Sequence, residues 1–242
     1  MSLATTTTTV GASAEPATDG RPAPSRRTVV LLAAGVLAGP LFLATTLAQF
    51  AVKADVDPRI HPLSMLSLGA AGWIQIANFI VAGLLVLASA AGLRRMLRGS
   101  PAGTWGPILI AVYGAALLTG GVLVVDPGHG YPAGAPAGPP EELSWHGTLH
   151  ILANPLMGLA LVAAALVFGY RFRRTDRRGW AAVSYGTAVA YLGLTVVGMV
   201  IPDYRVMLAG GALGWLWASA TTGQILAARP RRPVNPAAGR AR

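Results

Sequence analysis

The chain has 242 residues, 53% hydrophobic and 12% charged, with a formal net charge of +10 and a mean hydropathy of +0.54. A soluble domain usually carries about 25% charged residues, so a water-soluble globule is excluded, and six membrane-crossing helices would nearly exhaust the length. The positive charge is spread over four short segments flanking apolar stretches, which excludes a nucleic-acid-binding patch as its cause; with no cysteine there is no disulfide framework, iron–sulfur cluster or Cys-ligated zinc.

In chain order, residues 1–27 are rich in Thr, Ala and Pro and end in Arg26-Arg27, which predicts a disordered cytoplasmic arm. Residues 1–20 lack a basic segment followed by an apolar core, so no signal peptide is expected. Apolar spans follow at about 28–50, 70–93, 105–125, 147–170, 180–201 and 206–228. They are too long and too continuously apolar for the alternation of a membrane β-barrel. Residues 229–242 form a basic tail, also predicted disordered and cytoplasmic. The expected fold is all-α: an integral membrane bundle of six transmembrane helices over residues 28–228, both termini cytoplasmic.

The orientation rests on arginine. The N-terminal arm has three Lys or Arg, the segment after span two three, that after span four five, and the tail five. The opposite side has Lys53, Arg59 and Arg205. Positive residues stay on the cytoplasmic side, and five spans would break the alternation. The other side carries six of nine acids and all four histidines, His61, His129, His146 and His150.

Depth follows from counting about 20 residues for a core of about 30 Å. From the basic ends, Trp73, Asp126 and His150 reach the outer boundary, with Gln75, Asn78 and Asn154 about a turn deeper. Pro139-Pro140-Glu141-Glu142 resembles a helix start, which would align Glu142, His146, His150 and Asn154 on one face. Pro155 removes a backbone donor and frees the Ile151 carbonyl. The Pro- and Gly-rich connection from Asp126 to Pro140 reads either as a floppy loop or as a lid with His129 and Tyr131 folded inward. Gly35/Gly39 and Gly210/Gly214 are GxxxG pairs, expected at internal helix contacts, with a dimer interface as the alternative.

Three blocks carry a family resemblance. The first is His61-Pro62-Leu63-Ser64, Leu66-Ser67-Leu68-Gly69, Gly72-Trp73-Ile74-Gln75 and Asn78-Phe79. The second is Gly92-Leu93-Arg94-Arg95, and the third runs from Asp126-Pro127 and Gly130-Tyr131-Pro132 to Ser144, His146-Gly147 and Leu149-His150. Together, over roughly residues 27–228, the chain resembles the bacterial membrane family called "domain of unknown function 998". The resemblance implies a multi-helix membrane protein with no assigned reaction and supplies no catalytic residues.

Three functions compete. The outer polar layer could bind a metal such as zinc, or a small polar ligand, with or without catalysis. Its metal ligands would be Asp126, His146 and His150, and its ligand-binding residues would add His61, Trp73, Gln75, Asn78 and Asn154. The HGTLH segment lacks the glutamate of the zinc-protease HExxH pattern. A small transporter or sensor is the second reading, opposed by the lack of ionisable residues in mid-span. In the third, the layer is purely structural and ties helices together. The lipid bilayer is the one partner that composition itself implies.

Overall fold

The computed structural model describes residues 23–201 and 203–228, so most of the expected arm, and the expected tail, lie outside the described residues. Six long helices form: α1 (Arg26–Val52), α2 (Gly72–Met96), α3 (Trp105–Val122), α4 (Trp145–Arg174), α5 (Arg178–Val200) and α6 (Tyr204–Ala227). A short 3₁₀ turn, Leu63–Ser67, interrupts the α1–α2 connection. No strand occurs among the described residues.

The helix ends follow local chemistry. Ser25 caps α1 by accepting from the Thr28 N–H at 3.3 Å, and Asp203 caps α6 by accepting from the Arg205 N–H at 3.0 Å. Arg94 and Arg95 end α2, and Arg171, Arg173 and Arg174 end α4, where cations complement the helix dipole. Among the described residues, five helices, α1 to α5, are long and apolar enough to cross a membrane. α6 is of similar length, and its Ser219, Thr221 and Thr222 are buried.

Each helix packs antiparallel on its chain neighbour, and α6 closes the ring on α1. The register is read from close approaches. Gly35 meets Ser89 and Asn78 reaches the Phe42 carbonyl (α1/α2); Gly83 meets Leu118 and Gly121 meets Phe79 (α2/α3). Gly106 meets Phe168 and Gly120 meets His150 (α3/α4); Gly158 meets Tyr191 (α4/α5); Gly210 meets Leu194 (α5/α6); Gly39 meets Ser219 (α1/α6). Both GxxxG pairs therefore face internal contacts, as expected.

The bundle has a lipid-protein distribution of side chains. Thr46, Gln49, Gln75, Asn78, Ser89, Ser184 and Ser219 are buried, whereas Val52, Leu159, Val189, Met199 and Val200 lie exposed on its surface. Exposed apolar residues and small interior ones are what helix association in hydrocarbon requires. Phe42 stacks on Trp215 with ring centroids 4.7 Å apart, and Tyr113 meets Trp215 edge-on, joining α1, α3 and α6 at the centre.

Antiparallel register gathers every histidine at one end of the bundle and the arginine-rich connections at the other. The histidine end bears a cap with its own small core of Val56, Met65, Leu66 and Tyr131. Of the two readings of the Asp126–Pro140 connection, the folded one is observed: Tyr131 is buried and the His129 N–H donates to the Gly138 carbonyl at 2.6 Å.

Candidate functional site

Three polar groupings occupy the histidine end. The first joins α3 to α4. Beyond the last turn of α3 the carbonyls of Leu123 and Val124 have no helical partner. His150 donates from Nδ1 to the Leu123 carbonyl at 2.7 Å, and His146 donates from Nδ1 to the Val124 carbonyl at 2.8 Å. Two imidazoles one turn apart thus cap the frayed end of a neighbouring helix.

Asp126 organises the start of α4. Its Oδ2 accepts from the Ser144 N–H at 2.8 Å and its Oδ1 from the Ser144 hydroxyl at 2.7 Å, while Ser144 Oγ accepts from the Gly147 N–H at 2.9 Å. The helix begins there, at Trp145, and not at the Pro139–Glu142 segment. Glu142 therefore precedes the helix and drops out of the expected four-residue face: a serine cap held by a buried carboxylate outcompetes a proline-acid start. Asp126 Oδ1 lies 3.9 Å from His146 Nδ1.

The second grouping is the cap. Lys53, immediately after α1, donates from Nζ to the Leu66 and Leu68 carbonyls at 3.0 and 3.2 Å and to the Tyr131 hydroxyl at 3.4 Å. Tyr131 in turn donates to the Leu68 carbonyl at 3.0 Å. Burial pushes the Lys53 amine below its ordinary range, opposed by the Asp55 charge. His61 Nδ1 accepts from the Asp57 N–H at 2.9 Å, so its proton sits on Nε2 and is donated to the His129 carbonyl at 3.0 Å. Arg59 clamps Asp57 at 2.7 Å and its hydrogen bonds hold that carboxyl down at about 2. Arg205 clamps Asp203 at 2.6 Å in the same way. All three cations at this end have partners within the cap or its helix starts.

The third grouping lies between α1 and α2, below the cap. Asn78 Nδ2 donates to the Phe42 carbonyl at 3.1 Å, to Thr46 Oγ1 at 3.2 Å and to Gln75 Oε1 at 3.2 Å. Gln49 Nε2 donates to Gln75 Oε1 at 2.7 Å and to the Thr45 carbonyl at 3.2 Å. The backbone carbonyls at both edges fix which amide atom is nitrogen, so both glutamine orientations follow. This leaves Gln49 Oε1 and Gln75 Nε2 buried with no hydrogen-bond partner among the described residues, together with Ser67 Oγ from the adjoining 3₁₀ turn.

The expected site residues thus divide. Asp126, His146 and His150 converge on the α3–α4 joint; His61 sits in the cap with His129 and Tyr131; Gln75 and Asn78 share the amide network. Trp73 is 67% exposed and Asn154 is exposed on α4, and both stand apart from the three groupings. Gln49, Thr46 and Lys53 were not anticipated as site residues. Their signal is spacing: Gln49 precedes Lys53 by one turn, at the same end of α1 where Gln75 begins α2.

The two imidazoles of the α3–α4 joint are oriented as metal-ligating histidines are, each bonding a carbonyl through one nitrogen. Both Asp126 oxygens already serve Ser144, and among the described residues no three His, Asp or Glu side chains lie close enough together to hold a metal ion.

A helical ring with apolar surfaces and small-residue interfaces is a multi-pass integral membrane protein, its environment a lipid bilayer. Within that class the chain belongs to the family described as "Protein of unknown function (DUF998)", whose model matches residues 36–228. No curated protein and no solved structure matches it.

Proposed function

We propose that this protein holds a small, uncharged polar ligand at the histidine end, recognised by Gln49, Gln75 and Asn78 beneath the cap. One observation carries the reading: two glutamines bonded to each other, both buried, leave one acceptor and one donor without a partner. An unpaired polar group away from water costs about 1–3 kcal/mol, and more where only hydrocarbon surrounds it. A ligand offering one acceptor and one donor relieves both; a primary amide, an alcohol or a protonated carboxylic acid does so. On this reading the His146–His150–Asp126 joint and the Lys53–Tyr131 clasp are the frame that holds the cap over the amides.

The test is thermal unfolding of the detergent-purified protein with acetamide, ethanol and acetic acid as probes. Acetamide is expected to raise the Tm of the wild type in a concentration-dependent way, and Gln75→Met to abolish that rise. A wild-type Tm indifferent to all three probes, with Gln75→Met merely less stable, makes the network a structural tie and defeats the proposal. The second reading, zinc bound through Nε2 of His146 and His150, is favoured by their carbonyl-bound Nδ1 atoms. It predicts a zinc-induced rise in the same assay, lost in His146→Ala.

A further inference from the structure

We infer that the centre of the bundle binds a single structural water molecule where α1 depends on outside groups to complete its hydrogen-bond ladder. A cavity of about 20 Å³ lies there, lined by Ser89 of α2, Tyr113 of α3, and Trp215, Ser219 and Thr222 of α6. A buried water needs at least about 10–15 Å³ and two to four polar partners. The volume therefore admits one water and no larger ligand.

The partners are present. Ser89 is 2% exposed, lines the cavity, and its hydroxyl has no hydrogen-bond partner among the described residues. Thr222 donates to the Ala218 carbonyl at 2.8 Å and keeps its lone pairs. Ser219 donates to the Gly35 carbonyl at 3.1 Å and accepts from the Gly39 N–H at 3.2 Å, which leaves one lone pair. A water can accept from Ser89 and donate to Thr222 or Ser219.

The neighbouring backbone explains the placement. Gly39 shares its N–H with Ser219 and Pro40 has none, so two successive rungs of α1 are weakened. Gly35 and Gly39 also carry no side chain to cover them, since a Cβ at either would collide with Ser89 or Ser219. Polar cover must come from α2, α6 and what lies between them. The lining shares no residue with the amide network under the cap, so this inference does not depend on the ligand proposed there.

The experiment is water-edited solid-state NMR of the full chain in lipid bilayers, reading magnetisation transfer from water to the buried Ala38 methyl group, which also lines the cavity. Transfer is expected in the wild type and is expected to fall at least about threefold in Ser89→Ala, whose Tm should drop as the water loses its donor. Absence of transfer in the wild type overturns the inference whatever the variants do. So does a rise in Tm for Ser89→Ala, the result of removing a hydroxyl that was simply unpaired. If Ser89→Ala does not fold, Thr222→Val is read in its place, with the same loss of transfer expected and undiminished transfer counting against the site.

Discussion

At residue 147 a hydrogen is all that fits. Gly147 is buried in the first turn of α4, and a Cβ there would fall on the Asp126 carboxylate. The requirement is steric, and it protects a chain of three groups: the carboxylate orients Ser144, and Ser144 caps the Gly147 N–H. Hydrogen bonds to a charged group are worth about 1.5–3 kcal/mol. Gly147→Ala should push Asp126 off Ser144 and lower stability by about 2 kcal/mol or more, measured as a fall in Tm in detergent. The neighbouring His146→Gln variant retains a side-chain donor for the Val124 carbonyl and should be milder. At this scale the charged residues of the histidine end are local devices: Arg59 serves Asp57 two residues away, and Arg205 serves Asp203.

Between helices, contact depends on whether a glycine faces a backbone or open space. A Cβ at Gly39 would come within 2.8 Å of the Trp215 carbonyl oxygen and 2.6 Å of Ser219 Oγ, whereas Gly186 on α5 has nothing within 4 Å. Gly39→Ala must separate α1 from α6 and should cost at least about 2 kcal/mol. Gly186→Ala meets no neighbour and should gain about 0.5–1 kcal/mol from helix propensity alone. Equal effects of the two substitutions on Tm would contradict the packing described here. The contrast also bears on the GxxxG pairs: Gly35 and Gly39 are occupied by contacts inside the chain, against Ser89 and Ser219, which leaves no room there for a second copy.

Over the whole molecule, antiparallel packing sorts the chain into two chemically different ends. The arginines of the α2–α3 and α4–α5 connections lie at one; the cap, the histidines and the amide network lie at the other. The rule that positive residues stay inside predicts that the arginine end faces the cytoplasm. Reporter fusions check it. A fusion inserted within residues 133–138 is expected to be active as a periplasmic or extracellular reporter, and one in the 97–103 connection as a cytoplasmic one. The opposite pattern would invert the molecule and put the amide network beneath the inner surface.

The number of helices, their approximate ends and the segregation of arginine from histidine were legible in the residues, because hydropathy over about 20 residues and loop charge act without reference to any partner segment. Approximate depth was legible too, since counting from helix ends puts Trp73, Asp126 and His150 toward the same end of the bundle. Azimuth was not. Trp73 and Gln75 are two residues apart on α2, yet one faces outward and the other is fully buried, and in a helix apolar on all sides nothing in the local pattern says which face turns inward. The start of α4 at Ser144 was likewise decided by a carboxylate 18 residues away. Chain composition determined that this is a multi-pass helical membrane protein; only tertiary packing decided which polar groups found partners and which, like Gln49 Oε1 and Ser89 Oγ, did not, because hydrogen bonds between helices depend on rotations that the solvent preference of a single helix leaves free.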